Sequence, residues 1–407
     1  MQTKLADFIK DTPQGREADA ILRSCVHCGF CTATCPTYQL LGDELDGPRG
    51  RIYLIKQLVE GHPVSDKTQR HLDRCLTCRA CETTCPSGVK YSRLLDIGRA
   101  LTEKNVSRGL LERINRSLLR SIVPQPKIFK PLLRIGQLLR GVMPSAVRNK
   151  IPKRRIAKPW PDKPHPRTMI VLQGCAQSAA TPNTNAAAAR VLDRLGISLI
   201  TARQAGCCGA VSHHLSAHEQ GLDYMRNNID AWWPHIQAGA EAIAITASGC
   251  GAVVKEYGQL LAHDPRYAEK AQRISELTKD ISEVLATEDL STLQLPGKAG
   301  SQKVAFHSPC TLQHGQKITG IVESILQQTG FQLTVVRNSH LCCGSAGTYS
   351  ILQPQISNRL LPNKLYALQL GKPDVIATAN VGCQLHLETQ SAVPVKHWVE
   401  LLDESVV

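Results

Sequence analysis

The sequence predicts a multi-domain α+β protein in which a helical, cysteine-rich N-terminal domain precedes two copies of one α/β domain. Three observations predict this class. A run of four closely spaced cysteines occurs at residues 25–36 and again at 75–86. A second, different cysteine pattern occurs twice in the rest of the chain. After residue 168, strand-like and helical stretches alternate, which is typical of parallel α/β units.

The composition is that of a globular protein whose cysteines bind metal. With 407 residues, 42% of them hydrophobic and 20% charged, the chain can form two to three domains. Its start lacks the pattern of a secretory signal, and no segment approaches the ~18 apolar residues of a spanning helix. We therefore expect a protein of the cytoplasm or of a membrane surface. Sixteen cysteines in such a compartment indicate metal binding rather than disulfides.

The two N-terminal runs have the spacing C-x₂-C-x₂-C-x₃-C-P, found in bacterial two-cluster ferredoxins. They read Cys-Val-His-Cys-Gly-Phe-Cys-Thr-Ala-Thr-Cys-Pro and Cys-Leu-Thr-Cys-Arg-Ala-Cys-Glu-Thr-Thr-Cys-Pro. Three cysteines of each run ligate one iron–sulfur cluster, and the fourth cysteine ligates the other cluster. The spacing thus predicts two [4Fe-4S] clusters with crossed ligand sets: Cys25, Cys28, Cys31 and Cys85 for cluster 1, and Cys75, Cys78, Cys81 and Cys35 for cluster 2.

Structural zinc is the alternative for these eight thiols. Zinc sites use C-x₂-C pairs separated by longer spacers, which fits four cysteines in eleven residues poorly. His27 lies inside the first run, where four thiolates already suffice. We interpret His27 as a residue that faces solvent or a ligand rather than metal.

Helical spacing of apolar residues predicts a helix over 52–60, between the two runs, and further helices near 93–104 and 110–120. An insertion of about forty residues is foreign to small ferredoxins. It resembles the helical ferredoxin domain of respiratory iron–sulfur subunits, such as those of succinate dehydrogenase. We assign residues 1–105 to this helical two-cluster ferredoxin domain.

Residues 106–167 form a basic segment that contains amphipathic stretches. Between Glu112 and Asp162 the chain has no acidic residue, whereas lysine and arginine recur throughout. For 110–140 we favour docking onto an anionic membrane or an acidic subunit. For Pro152 to Pro166 we favour a solvated linker between domains. A nucleic-acid arm is the third alternative, but no binding motif accompanies the charge.

The C-terminal cysteines form a duplication. The interval from the first cysteine to the vicinal pair is the same in both copies, and each pair precedes a glycine. The members are Cys175, Cys207, Cys208 and Cys250 in one copy and Cys310, Cys342, Cys343 and Cys383 in the other. Buried packing is an alternative, because cysteine is a good small hydrophobe. Vicinal cysteines at matched places nevertheless favour a metal or redox role.

Each copy, 168–298 and 299–407, is predicted to be an α/β domain. Strand-like runs are 169–172, 197–201, 242–246, 303–306, 332–336 and 374–378, and helical stretches lie near 183–195, 217–231, 318–329 and 354–370. The cysteines follow strands, so we expect them at the carboxyl edge of a sheet, where sites of open α/β folds form. The glycine after each pair would let the backbone pass close to a cluster.

These motifs together resemble the family of bacterial glycolate oxidase (glycolate dehydrogenase) iron–sulfur subunits. The specific pieces are the stretch from Ile21 to Lys56, His71-Leu-Asp-Arg-Cys-Leu-Thr-Cys and Cys81-Glu-Thr-Thr-Cys-Pro-Ser-Gly-Val. The resemblance extends over nearly the full length. More widely, the chain is similar to the third subunit of anaerobic glycerol-3-phosphate dehydrogenase and to the B subunit of heterodisulfide reductase.

One departure concerns the cluster type in the repeats. The resemblance to heterodisulfide reductases implies a terminal C-x₂-C and five thiolates per non-cubane cluster. Here Ala247 and Asn380 occupy the earlier of those two cysteine positions. Each repeat therefore offers four thiolates at most, and a cubane, a three-iron cluster or an empty site in one repeat all remain open.

The resemblance implies an electron-transfer subunit at the cytoplasmic face of the inner membrane. Two flavin-domain subunits would oxidise glycolate to glyoxylate, and this chain would pass the electrons towards quinone. We expect no FAD or NAD on this chain, which lacks a G-x-G-x-x-G opening a helix, and no nucleic-acid partner. Alternatives are a subunit of a lactate or glycerol-3-phosphate dehydrogenase and, from another class, a zinc-stabilised nucleic-acid-binding module.

Overall fold

The computed structural model describes residues 1–293 and 302–405, and the chain divides into two compact units. Unit 1 comprises Met1–Ser117 together with His340–Lys364. Unit 2 comprises Leu118–Ser339 together with Leu365–Val407. The predicted limit at 298/299 lies outside the described residues, and the other predicted domain limits stay predictions.

The chain is helical up to the first strand, as predicted. Proline in the first turn begins several of these helices, and the Thr12 hydroxyl caps α1 by accepting a hydrogen bond from Gly15 N at 3.0 Å. The helices are α1 (Pro13–Ser24), α2 (Phe30–Ala33), α3 (Pro36–Leu41), α4 (Pro48–Val59), α5 (Asp66–Asp73), α6 (Ala80–Thr84), α7 (Tyr91–Asn105), α8 (Leu110–Ile122), α9 (Pro126–Leu138) and α10 (Ser145–Arg148).

The core of unit 1 lies between α1, α4 and α7. Leu22, Ile55, Leu94 and Leu95 are fully buried there. A side chain at Gly98 would meet Ile55 at 2.6 Å, so the glycine allows α4 and α7 to approach closely. The same core includes Cys25, Cys75 and Cys81, and packing therefore fixes the cysteine loops to the helices.

The basic segment is less uniformly cationic than its sequence indicates. Arg108 is buried and paired with Asp73, Glu103 and Glu112, and Arg116 also pairs with Asp73 and Glu112. These two arginines stabilise unit 1 and are not available to a partner. Exposed cations of this segment include Arg113, which lies between the two paired arginines in sequence.

The stretch from Pro152 to Pro166 has no helix or strand, as expected of a linker. It is not fully solvated, however. Trp160 Nε1 donates to the Leu199 carbonyl at 3.0 Å, His165 N donates to Ser198 Oγ at 2.8 Å, and Arg190 donates to the Pro159 carbonyl. The prolines exclude regular structure, while these bonds hold the segment along the first repeat.

Both repeats contain a four-stranded parallel sheet of the same topology, which confirms the predicted duplication. The strands are β1 (Arg167–Val171), β2 (Ile197–Thr201), β3 (Ile243–Ile245), β4 (Thr278–Asp280), β5 (Lys303–His307), β6 (Gln332–Leu333), β7 (Val375–Thr378) and β8 (Val395–His397). The orders are β2-β1-β3-β4 and β6-β5-β7-β8. Registers such as Ile170↔Ile243 and Val304↔Val375 align equivalent strands.

Helices connect these strands, at the places predicted. They are α11 (Cys175–Ala180), α12 (Asn183–Arg194), α13 (Ala210–His214), α14 (His218–Gln237), α15 (Ser248–Val254), α16 (Tyr257–Leu260), α17 (Ala268–Leu277), α18 (Ile281–Leu285), α19 (Ile321–Gln328), α20 (Tyr349–Leu352), α21 (Pro354–Gln369), α22 (Val381–Glu388) and α23 (Trp398–Ser405). Strands β4 and β8 were not predicted, because each has only three residues and runs directly into a helix.

The two sheets of unit 2 share one apolar core. Met169, Val171 and Leu199 of the first sheet belong to the same buried cluster as Val304 and Phe306 of the second. The opposite face of the first sheet presents Ile170, Ile243 and Ile245 to Trp232 and Tyr257. Strands with both faces buried explain the near-continuous apolar runs in the sequence.

The glycine after the first vicinal pair is required by its own backbone and by a neighbouring helix. Gly209 has φ +88°, and a Cβ there would lie 2.6 Å from the Gly221 carbonyl oxygen of α14. The contact shows that Gly209 lets the cysteine turn approach α14, and its predicted role beside a cluster stays a prediction.

Replacement of Gly209 by alanine should therefore lower the free energy of unfolding by more than the backbone strain of a positive φ alone would. Gly239→Ala is the matched control, because Gly239 has φ +97° but open space around it. We expect Gly239→Ala to lower the free energy of unfolding by roughly 1–2 kcal/mol and Gly209→Ala by about 3 kcal/mol or more. Urea unfolding measures both. Equal losses would show that contact with α14 is unimportant.

Candidate iron–sulfur sites

The first cysteine run wraps a cavity in unit 1. His27 and Gly29 have positive φ, which turns the loop tightly between Cys25 and the short helix α2. Four thiols of the predicted cluster 1 line this cavity: Cys25, Cys28, Cys31 and Cys85. Burial, together with Cys25, Cys28 and Cys85, raises the pKa of Cys31 to about 11. Cys85, which belongs to the second run, therefore lies beside the thiols of the first run.

The second cysteine run forms an equivalent group. Thr77 and Arg79 adopt positive φ at the places that correspond to His27 and Gly29. Burial raises the pKa of Cys81 well above its usual value, and the nearby Cys78, Cys75 and Cys35 add to the effect. Cys35 is thus grouped with the second run, opposite to its own. Cys81 of the second run also lines the first cavity, so the two runs lie side by side, and the crossed ligand sets stay a prediction.

Hydrogen-bond donors surround the second group of thiols. The hydroxyl of the buried Tyr91 donates to Cys75 Sγ at 3.6 Å, and Thr77 N donates to the same sulfur at 3.4 Å. The Thr37 hydroxyl lies 3.3 Å from Cys35 Sγ. Arg51 donates to this hydroxyl oxygen at 3.2 Å.

A buried charge network holds Arg51 in place. Arg51 and Asp46 are 1% and 0% exposed, and the acid also binds His71 at 3.0 Å and Arg74 at 2.8 Å. Burial opposes the charge of Arg51, but Cys75, Tyr91 and Cys35 raise its pKa above the usual value. A permanently charged guanidinium therefore lies in the interior, beside the second group of thiols.

These two groups fit a cationic iron–sulfur core better than free thiols. Burial and neighbouring thiols raise the pKa of Cys31 in the first group and of Cys81 in the second, so the loss of these protons is unfavourable without a positive centre. A bound iron–sulfur core removes this cost, because its irons take the thiolates as ligands. Each predicted group contains four thiols, three from one run and one from the other, as a [4Fe-4S] cluster requires.

The first Cys-Cys-Gly site is a continuous group of four thiols in unit 2. Cys175 begins α11 after β1, the pair precedes α13 after β2, and Cys250 lies in α15 after β3. Because these strands are adjacent, their cysteines meet at the carboxyl edge of the sheet, as predicted. Hydrogen bonds from Cys207 and Cys250 lower the pKa of Cys208 well below its usual value.

Polar side chains fix the backbone of this pair. Tyr257 donates to the Cys208 carbonyl at 2.9 Å, and Asn228 donates to the Cys207 carbonyl at 2.8 Å. The Asn228 side chain also accepts from Gly206 N. Gly209 N donates to Cys207 Sγ at 3.4 Å, which would stabilise a thiolate there. The donor set and its support thus suit a metal cluster better than simple packing.

The second Cys-Cys-Gly site differs in the placement of its members. Cys310 and Cys383 follow the paired strands β5 and β7 in unit 2. Cys342 and Cys343 lie in the segment His340–Lys364, which belongs to unit 1. There Gly344 N donates to Cys342 Sγ at 3.4 Å, as in the first repeat. Tyr349 donates to the Arg74 carbonyl at 2.8 Å, next to Cys75.

Asn380, at one of the two positions where the terminal C-x₂-C pattern is broken, connects the repeats. Its amide donates to Cys383 Sγ at 3.5 Å and accepts from Gly249 N at 3.2 Å, beside Cys250. Ser248 N also donates to the Ala379 carbonyl at 3.0 Å. The last cysteines of the two repeats are therefore held near a shared seam. Asn380 supplies a hydrogen bond to sulfur in place of a fifth thiolate.

His27 is exposed, lines the first cavity and lies 2.9 Å from Met1 Sδ, and its role outside the ligand set stays a prediction. Sequence reasoning missed the residues that surround the thiols, chiefly Arg51, Thr37 and Tyr91. The only available signal was indirect: Arg51 lies in the distinctive Gly-Pro-Arg-Gly-Arg stretch at 47–51. Its contact with the cysteines arises from tertiary packing.

Comparison with protein families agrees with the two kinds of site. A 4Fe-4S dicluster domain matches residues 21–89, and a cysteine-rich domain matches 169–255 and again 304–388. These matches support iron–sulfur cluster binding by the chain. They also separate the helical N-terminal region from the two α/β repeats.

Among related proteins, the glycolate oxidase iron–sulfur subunit of Escherichia coli (strain K12) is 58% identical over 407 residues, covering 100% of this chain and 99% of the relative. The probable glycolate oxidase iron–sulfur subunit of Bacillus subtilis (strain 168) is 30% identical over 396 residues, covering 90% and 88%. Lactate utilization protein A of Shouchella clausii (strain KSM-K16) is 25% identical over 239 residues, covering 56% of this chain and 95% of that protein. The full-length matches, together with the two cysteine-rich sites, show that this chain belongs to the family of glycolate oxidase iron–sulfur subunits.

Proposed function

We propose that this chain is the electron-transfer subunit of a glycolate-oxidising complex. The observation that carries the proposal is the gathering of the eight cysteines of the two runs in unit 1, where Cys28 is exposed and the other seven are buried or half-buried. Cys25, Cys28, Cys31 and Cys85 would hold one [4Fe-4S] cluster, and Cys75, Cys78, Cys81 and Cys35 the other. Such clusters supply one-electron transfer, which suits the separation of an electron pair delivered by a flavin.

The remaining eight cysteines are proposed to hold one or two further clusters. In the first repeat, the contiguous thiols of Cys175, Cys207, Cys208 and Cys250 form a ligand set within one unit. In the second, Cys310, Cys342, Cys343 and Cys383 are the corresponding candidates. Tyr349 supports a route from the N-terminal clusters to this repeat. Its hydroxyl donates to the Arg74 carbonyl next to Cys75, and burial raises its pKa, with the neighbouring Cys75 and Cys342 adding to the effect.

Substrate oxidation is assigned to partners rather than to this chain. We propose two flavin-domain subunits, with glycolate as their substrate and glyoxylate as the product. The full-length similarity to glycolate oxidase subunits supports this choice over lactate, because the lactate utilization protein matches only part of this chain. Quinone is the proposed acceptor.

Membrane attachment is proposed through a surface made by residues 126–156, which we call the basic apolar surface. Leu138 and Val142 are 81% and 83% exposed there, next to Lys127, Lys130 and Arg134. Among the described residues, no helix is long and apolar enough to cross a membrane. Exposed apolar side chains among cations fit the headgroup region of an anionic bilayer.

This surface adjoins the first Cys-Cys-Gly site. Helix α9 packs against α11, which begins at Cys175. Gln125, which precedes α9, donates to the Tyr224 hydroxyl at 3.0 Å. Burial raises the pKa of Tyr224, and the nearby Cys207 and Cys175 add to this effect. Docking through the surface would therefore bring this cysteine group towards a lipid-soluble acceptor.

Serine substitution of the fourth cysteine in each run should affect the opposite cluster. In anaerobically purified protein, we expect Cys85→Ser to alter the EPR signal of the cluster held by Cys25, Cys28 and Cys31. Cys35→Ser should alter the other signal. Each change lowers bound iron by up to four atoms per chain. If each variant instead damages the cluster of its own run, the crossed sets are wrong.

Cys208→Ser in the same series tests the first Cys-Cys-Gly site. If all EPR signals of this variant are unchanged, the first Cys-Cys-Gly group is not a ligand set.

Loss of the gene should abolish growth on glycolate and leave growth on lactate intact. The chain would be required to remove electrons from the glycolate-oxidising flavin, and no other carbon source would need it. Reintroduction of the wild-type gene or of Tyr53→Phe, at an exposed position of α4, should restore growth, whereas Cys35→Ser should not. Loss of growth on lactate alone would assign the chain to a lactate dehydrogenase.

Binding of the purified complex to lipid vesicles should depend on the basic apolar surface. We expect co-sedimentation with vesicles rich in phosphatidylglycerol, little with phosphatidylcholine, and weakening by salt, since surface charges are screened. Leu138→Glu combined with Val142→Glu should weaken binding at least tenfold, because two apolar anchors are lost and negative charge is added. Val335→Glu, at a position 82% exposed elsewhere in unit 2, is the matched control. Equal effects of both variants would contradict this docking surface.

A further inference from the structure

The surroundings of the two thiol groups in unit 1 are electrostatically different. We propose that Arg51 and Tyr91 raise the midpoint potential of the cluster held by the second run above that of the cluster held by the first. This inference rests on the proposal that the two groups bind [4Fe-4S] clusters. It concerns which of the two sites keeps an added electron, and therefore the direction of transfer within unit 1.

Hydrogen bonds to sulfur are the first part of the argument. Reduction places extra negative charge on the sulfurs of a cluster, and donors aimed at them stabilise the reduced form. Tyr91 is 4% exposed, and its hydroxyl points at Cys75 Sγ over 3.6 Å. The Thr37 hydroxyl, 1% exposed, lies 3.3 Å from Cys35 Sγ. The Thr37 hydroxyl donates its one proton to the Asp46 carbonyl at 2.8 Å, so the hydroxyl donor to a ligand of this predicted cluster is Tyr91.

Buried positive charge is the second part. Arg51 is linked through Thr37 to Cys35, with distances of 3.2 Å and 3.3 Å along the chain of contacts. Its guanidinium is 1% exposed, so solvent screens its field only weakly. Arg99 adds a second cation, which donates to the Cys75 carbonyl at 2.8 Å and to Thr77 Oγ1 at 3.1 Å.

Negative groups reduce this field without cancelling it. Asp46 is shared between Arg51, Arg74 and His71, so one carboxylate faces two arginines. Glu82 follows Cys81 in the sequence, and its carboxylate accepts the Ser92 N–H. The net charge of these groups is one positive charge, from the three cations Arg51, Arg74 and Arg99 and the two carboxylates of Asp46 and Glu82. Arg51, the cation that is linked to Cys35, is buried.

Among the described residues, the first group has no counterpart of the buried Arg51. Pro48, Ile52, Pro86 and Val89 line its cavity beside the thiols, and Tyr91 lines it as well but directs its hydroxyl to Cys75. Arg49 lies near Cys31, but it is 40% exposed and paired with Glu44 at 2.6 Å, so its field is both screened and compensated. Greater burial of the second group opposes reduction there. The buried cation linked to Cys35 and the Tyr91 hydroxyl that donates to Cys75 oppose that cost.

The test is an EPR-monitored redox titration of the full-length, anaerobically purified protein. The two signals are assigned with Cys85→Ser and Cys35→Ser. We expect the cluster of the second run to have the higher midpoint potential. At the potential where it is half reduced in the wild type, Tyr91→Phe should lower its ratio of reduced to oxidised form at least threefold, which corresponds to about 28 mV for one electron. Tyr53→Phe on α4 is the matched control and should move neither signal.

Arginine variants test the charge separately. Arg51→Gln should lower the same ratio at least tenfold, about 59 mV for one electron, whereas Arg51→Lys should lower it less because the charge is kept. If Arg51→Gln does not fold, the Tyr91→Phe titration decides. The inference is overturned if the second-run cluster has the lower potential, or if Tyr91→Phe shifts it no more than Tyr53→Phe. Protein without either cluster would instead overturn the proposed function itself.

Discussion

Thiolates that are close together in a protein interior repel one another, and the fold must hold them together against this repulsion. In unit 1, burial and mutual proximity raise the pKa of Cys31 and Cys81, so these thiols lose protons only when positive charge is supplied. The helices α1, α4 and α7 nevertheless hold the loops rigidly, since Cys25, Cys75 and Cys81 belong to their apolar core. The fold thus brings the sulfurs together at an energetic cost that bound iron would remove. This cost also explains why hydroxyls and a buried arginine collect around Cys75 and Cys35.

The two repeats meet the same constraint with a different scaffold. A parallel sheet places the ends of adjacent strands at one edge, so cysteines that are far apart in sequence converge without special loops. The vicinal pair is then fixed by its glycine, whose positive φ allows close packing on the following helix. Duplication has not kept the copies identical. Asn380 binds both Cys383 and the backbone beside Cys250, whereas Ala247 at the corresponding position of the first repeat has no side chain able to do so.

The sequence predicts the architecture well because periodicity and spacing are local properties. Strand β2 spans the predicted residues 197–201, and the paired cysteines lie at the carboxyl edge as expected. The predicted strand 332–336 is shorter in the structure, where pairing with β5 ends at Leu333 and Val335 is exposed. The environment of the thiols could not be predicted. Arg51 and Tyr91 are separated by forty positions in sequence and meet beside the thiols only through the packing of α4 on α7, and the pairing of Arg108 with Asp73 likewise depends on tertiary contacts.

The central claim is that the cysteines of this chain hold redox-active iron–sulfur clusters. Quantification of iron and acid-labile sulfide in anaerobically purified protein, together with its visible spectrum, tests this most directly. The account predicts a brown protein with broad visible absorption and about eight or more irons per chain, matched by sulfide. A colourless protein that contains zinc in place of iron would contradict it.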